Sequence, residues 1–163
     1  FWSHILLTLI RQSRNKILLG WNPHPWFHLE QTAKEEQYVA SLELAGGKLY
    51  VVIGGNTFLD HWTKQFLKKK FIAYAFGQNR FEKDHSQYLN VINDFVLTIK
   101  LDKKTAQAID NLYKKTSSPE ALNVIRIVDL FRRKAKVRMQ LELNPKKAAR
   151  IAGRFRRFFG LKE

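Results

Sequence analysis

Apolar and polar positions alternate most plainly at Phe95-Val96-Leu97-Thr98-Ile99-Lys100-Leu101. Residues 95, 97, 99 and 101 fall on one side of a period-two pattern, which predicts a strand. Asp102 follows as the N-cap of a helix over Lys103–Lys115. The same grammar recurs at Val137–Leu143. There Asn144-Pro145 opens a helix over Pro145–Phe159 and Gly160 closes it. The two junctions align at an offset of 42. Leu97, Ile99, Leu101, Asp102, Lys104, Ala106 and Ile109 match Met139, Leu141, Leu143, Asn144, Lys146, Ala148 and Ile151. A true β-α repeat would place both strands in one sheet; two ordinary strand, cap and helix junctions produce the same matches.

Helical spacing of Ile5, Leu6, Leu9, Ile10, Ile17 and Leu18 predicts a buried first helix from Trp2 to Leu19. Pro23 and Pro25 break the chain between Gly20 and Glu30. Gln37–Leu44 and Lys48–Ile53 read as a hairpin turned at Ala45-Gly46-Gly47. Asn56 or Thr57 caps a predicted helix from Phe58 to about Phe76, and Gly77-Gln78-Asn79 stops it. A further helix is predicted over Glu82–Asn93. Another begins at Ser117 or Ser118 with Pro119 in its first turn and a stripe of Leu122, Ile125, Val128 and Phe131. The order implies an α+β fold in one domain, residues 1–163, with a subdivision at 1–94 and 95–163 as the alternative. The expected sheet is small, mixed or antiparallel, built from the hairpin and two further strands. Helices cover one of its faces, and the last helix is basic and amphipathic.

Charge sharpens this picture. The chain carries 29 Lys and Arg against 14 Asp and Glu, a net of +15 over 163 residues. Arg132–Glu163 alone holds twelve bases and two acids, a local +10, while 81–131 is neutral. A field so concentrated favours phosphate-bearing partners, a nucleic acid first and an anionic membrane surface second. A protein partner or a second copy of the chain also suits an amphipathic helix. The 45% hydrophobic and 13% aromatic content supplies a packed core, and the absence of cysteine excludes disulfides and thiolate metal sites. The chain starts at Phe1 with ten largely apolar residues, too few to span a bilayer. Lacking an initial methionine, it reads as a processed form or a fragment. No signal-peptide pattern is visible in these residues; the sequence leaves the localisation unknown, with an intracellular setting as the favoured expectation.

On the last helix Ala148, Ile151, Ala152, Phe155 and Phe159 share one arc, and Lys147, Arg150, Arg154 and Arg157 the opposite one, with Lys146 beside them. The expected function is a nucleic-acid-binding domain or subunit, for DNA or RNA, that contacts phosphates through Arg132, Arg133, Lys136, Arg138, Lys146, Lys147, Arg150, Arg154, Arg156 and Arg157. Phe158, at the boundary of the two arcs, is placed to stack on a base or enter a headgroup layer. The alternative is a membrane-associated interaction protein that uses the apolar start and the basic helix together.

Phe95–Ala135, in the order strand, helix, turn, helix, resembles a ribbon-helix-helix module of DNA-binding regulators. The resemblance implies a strand paired between two subunits, with Val96, Thr98 and Lys100 facing bases. The module's central place and near-zero net charge depart from that pattern. His24 and His28, with Glu30 nearby, are weak candidate metal ligands, because Pro25 breaks the helix that would give their spacing meaning. Gly54-Gly55-Asn56-Thr57 matches neither glycine-rich nucleotide pattern, and no cofactor is expected. Lys68-Lys69-Lys70 forms either a second basic patch or a solvated helix side. An enzyme built from scattered residues such as His24, His28, His61 and Asp84 is the third reading, behind a binding protein.

Overall fold

The computed structural model describes residues 2–30, 32–66, 69–132 and 134–161. Helix α1 (Trp2–Gln12) leads into β1 (Ile17–Asn22), a short α2 (Phe27–Glu30) and α3 (Thr32–Leu44). Strand β2 (Lys48–Ile53), α4 (Phe58–Phe66), β3 (Ile72–Ala75), β4 (Gln87–Ile92) and β5 (Phe95–Leu101) follow. The chain ends with α5 (Lys103–Lys115), α6 (Val124–Arg132), β6 (Val137–Leu143) and α7 (Pro145–Phe159). The fold is α+β, an open six-stranded mixed sheet in the order β3-β2-β1-β4-β5-β6. Strands β1, β2 and β3 are parallel, and β4, β5 and β6 form an antiparallel half joined to β1.

Two apolar layers cover the two faces. Val51, Ile53, Leu97, Ile99 and Leu101 pack beneath α1, α3, α5 and α6. Val52, Leu89, Val91 and Val96 pack against Ala148, Ile151, Ala152 and Phe155 of α7. The expectation of helices on one face only is therefore corrected: the central strands are apolar on both sides and need two covers.

Strands β5 and β6 and helices α5 and α7 form as their pattern predicts. In α5, the Asp102 carboxylate accepts from the Thr105 N–H at 3.0 Å. In α7, Asn144 Oδ1 accepts from the Lys147 N–H at 3.0 Å, and Gly160 closes the helix at φ 60°, a left-handed cap that glycine adopts without strain. Strands β5 and β6, from the two similar junctions, are neighbours in the sheet.

The first half departs in four places. The first helix stops at Gln12: Lys16 turns at φ 49°, its N–H donating to Ser13 Oγ, and Ile17–Asn22 becomes a strand. The predicted hairpin is absent, because Gln37–Leu44 lies within α3 and buries Val39 and Leu42 while leaving Leu44 90% exposed. The helix expected to reach Phe76 ends at Phe66, and Ile72–Ala75 pairs parallel with β2. Glu82–Asn93 contains β4, buried on both faces, rather than a helix. A fifth correction is smaller. Helix α6 starts at Val124, with Asn123 Oδ1 accepting from the Arg126 N–H, and turns Ile127 and Leu130 inward while Ile125 is 73% exposed. The sheet thus has six strands where a hairpin and two others were expected.

Candidate nucleic-acid interface and polar cleft

Docking fixes α7. Ala148, Ile151, Ala152 and Phe155 are buried against the sheet, with Phe155 fully enclosed. Phe81, from the loop between β3 and β4, meets Phe155 edge-on at 4.7 Å and Phe158 at 5.6 Å. That loop also receives Arg154, whose guanidinium carbon lies 4.2 Å from the Phe81 ring centre and whose Nη1 is 3.8 Å from Glu82. Lys147 bonds to Glu142 of β6. Lys146, Arg150, Arg156 and Arg157 are exposed along the helix. The packed face sets the orientation of the helix, so Lys146, Arg150, Arg156 and Arg157 lie on the side away from the sheet.

The expected phosphate-binding residues separate into three groups. Arg138, Lys146, Lys147, Arg150, Arg154, Arg156 and Arg157 belong to α7 or to the face of β6 that bears Glu142, the partner of Lys147. Arg132 ends α6, whose Ile127 and Leu130 pack into the opposite layer, so the structure does not bring it to that surface. Lys136 precedes β6, its N–H donating to Asp102. Arg133 lies outside the described residues, as does Lys68 of the lysine run, while Lys69 is 3.8 Å from Glu43. Phe158 is 45% exposed beside the basic arc.

Strand β5 is flanked by β4 and β6, and Val96 is buried under α7, so the resemblance to a subunit-paired ribbon fails on topology.

A second feature lay beyond the sequence pattern. A cleft of about 620 Å³ opens where β1, β2 and β3 end, lined by His24, Gly55, Asn56, Asn79, Asp110 and Lys114 among others. The carboxyl ends of parallel strands are a common place for ligand crevices. His24 is buried, its Nδ1 2.9 Å from Asp60 Oδ1 and its Nε2 3.3 Å from Asp110 Oδ1. Asp60, fully enclosed, accepts at its other oxygen from the Thr57 N–H and hydroxyl, each at 2.8 Å. Thr57 Oγ1 in turn accepts from the Asp60 N–H, a reciprocal cap for α4. Asp110 accepts from Lys114 at 2.6 Å. Partial burial works against ionisation of Asp110, but the hydrogen bonds from Lys114 and His24 outweigh it and hold its carboxyl below the ordinary range. Gly55 is required here because a Cβ would collide with Asp60 and His24. Gly55 thus makes room for this network, Gly54 lies against Trp21 and the Pro23 carbonyl, and Asp60 occupies the Thr57 amide.

This line of groups ties β1 to α4 and α5. Both nitrogens of His24 face carboxylates, so a substrate would have to displace Asp110 to reach the ring. The Tyr113 ring lies 4.3 Å from His24, and the Tyr88 hydroxyl donates to the His24 carbonyl at 3.2 Å. Asp84 lines the same cleft, bonded to Ser86 and Lys100. His61 stands aside against Asn56 and Phe76.

His28 is elsewhere. It lines an interior cavity of about 70 Å³ with Glu35, Tyr38 and Asn90. Its Nδ1 is 3.6 Å from Glu35 Oε2. Burial pushes the Glu35 carboxyl up to about 7 and the His28 imidazole down to about 3. Desolvation outweighs the attraction at this separation, so the pair is neutral between those values. His24 and His28 therefore serve different sites, and among the described residues no group of three His, Cys, Asp or Glu is placed to hold a metal ion. Among the described residues, no helix is long and apolar enough to cross a membrane.

No protein-family description, curated protein or solved structure matches the chain.

Proposed function

We propose that the protein is a nucleic-acid-binding domain or subunit that grips the phosphate backbone along α7. The observation that supports this reading is the docked helix. Its apolar side packs on the sheet, and Lys146, Arg150, Arg156 and Arg157 remain on the outside of the docked helix. Guanidinium groups suit phosphate because the planar fork offers two donors to two oxygens. Preorganisation lowers the ordering cost of binding. Phe158, next to the cations and nearly half exposed, adds a ring for base stacking.

The test sets two phosphate surfaces against each other. Fluorescence anisotropy with labelled duplex DNA and duplex RNA is run beside flotation with anionic and neutral vesicles. Salt-sensitive binding to a duplex, undiminished by competing anionic vesicles, is the expected result. Flotation with anionic vesicles and no duplex binding would transfer the basic helix to a membrane role.

A further inference from the structure

The outer edge of β6 is unusual for a surface strand. It runs for seven residues in unbroken register with β5, from Leu101↔Val137 to Phe95↔Leu143. Exposed edges are normally blunted by brevity, proline, inward-pointing charge or a bulge. The opposite edge strand, β3, is only four residues long. Strand β6 is not short and has neither proline nor a bulge; its charges are Arg138 and Glu142 on one side, while on the other Val137, Leu141 and Leu143 are 52%, 45% and 67% exposed. They lie on the side of the sheet where their β5 partners Leu101, Leu97 and Phe95 point, the side covered by α5 and α6. Helix α6 leaves Val124, Ile125 and Val128 exposed on that side as well.

The sequence of this edge, Val-Arg-Met-Gln-Leu-Glu-Leu, is self-complementary when reversed about Gln140. In an antiparallel pairing of two copies centred there, Val137 faces Leu143 and Met139 faces Leu141. On the other side Arg138 faces Glu142, and Gln140 faces its own copy. Every apolar position meets an apolar one, and both charged positions meet the opposite sign. Within one chain Arg138 stands opposite Lys100 of β5, which is paired with Asp84, and Glu142 is paired with Lys147; a second chain's Glu142 would give Arg138 an acidic cross-strand neighbour.

We propose that β6 pairs with β6 of a second copy across a two-fold axis at Gln140, making a continuous twelve-stranded sheet from two six-stranded ones. Such an interface is isologous, with the same patch supplied by both chains. The main-chain groups of the edge provide the hydrogen bonds, and the exposed side chains of β6 and α6 provide the apolar cover. Both α7 helices then lie on the same face of the joined sheet. The inference does not depend on nucleic-acid binding.

The test is a charge swap on the full chain, read by sedimentation. Arg138→Glu places two acids on the edge and Glu142→Arg places two bases, so each variant repels its own copy. Mixed together, they restore both opposite-charge pairs. The parent should sediment as a dimer, each single variant should dimerise more weakly by about tenfold or more, and the mixture should recover the parent's behaviour. A Gln140→Cys variant, in a chain with no other cysteine, should oxidise to a covalent dimer. Ala149→Cys on α7 should not. This second readout stands even if a charge variant folds poorly. A monomeric parent, a mixture that stays as weak as its components, or no cross-link at Gln140 would each overturn the proposal.

Discussion

Arg154 lies over the Phe81 ring, 4.2 Å from its centre, and so ties α7 to the loop that also borders the polar cleft. The contact makes Arg154 partly a structural residue. Its removal costs packing and a cation–π interaction as well as charge, whereas Arg150 and Arg157 project from the same helix as exposed residues. A mutational test of phosphate binding therefore belongs on the exposed cations first.

The docking itself is testable through Phe155, which is fully enclosed between the sheet and Phe81. Phe155→Ala is expected to lower unfolding stability by about 3–5 kcal/mol in urea titration. Phe158→Ala, at 45% exposure, should cost clearly less. Equal and negligible effects would mean that α7 is not held on the sheet.

Salt dependence reports the number of phosphates engaged. With about six contacts to a duplex, log K against log salt should fall with a slope near −5, about −0.9 per contact. A flat response would remove the electrostatic mechanism.

His24 holds together β1, α4 and α5 by facing two carboxylates, one of them fully enclosed. His24→Ala removes one hydrogen-bond partner of the enclosed Asp60, which keeps those from Thr57, and is expected to destabilise the fold by about 1–3 kcal/mol. Duplex affinity measured below the melting transition should be unaffected, since α7 lies on the opposite face. A loss of affinity in a folded His24→Ala protein would place the cleft in the binding surface.

Glu35 gives the pH signature. Its carboxyl is raised from 4.5 to about 7, so the folded state holds a proton that the unfolded chain gives up. Stability from this group is complete below about 4.5 and lost as pH rises to about 7. His28, lowered from 6.5 to about 3, works in the opposite sense: its contribution is complete above about 6.5 and lost as pH falls toward 3. Glu35→Gln should match the parent near pH 4 and exceed it at pH 8, by up to about 3 kcal/mol. Thermal melts at both values check this; a variant less stable than the parent at pH 8 would contradict it.

The sequence was most readable where one signal dominated. Asp102 and Asn144 each sit between a strand and a helix, and both become N-caps as expected. Strand β1 was hidden because a central strand buried on both faces reads as an unbroken apolar run, which Ile17-Leu18-Leu19 shares with a buried helix. Strand β4 was hidden for the same reason, since Tyr88, Leu89, Val91 and Ile92 are all buried. Residues 37–44 of α3 read as a strand because Ala45-Gly46-Gly47 follows them as a hairpin turn would, whereas in the fold those residues close the helix before β2.

The candidate surface divided along the same line. The cations of α7 follow from helical periodicity, and their docking from the short β6–α7 junction. That Arg132 faces the other side of the sheet depends on how α6 packs, which periodicity does not carry. The network of His24, Asp60 and Asp110 joins residues 36 and 86 positions apart, and no local pattern marks it. The one hint was Gly55, whose missing side chain makes room for two of its members.

The most direct measurement of the central claim is duplex affinity after reversing Lys146, Arg150 and Arg157 together to Glu, three exposed cations of one docked helix. Circular dichroism and the melting temperature should stay at the parent's values, and duplex binding at low salt should fall by about a hundredfold or more. A folded triple variant that binds duplex as tightly as the parent would contradict the account.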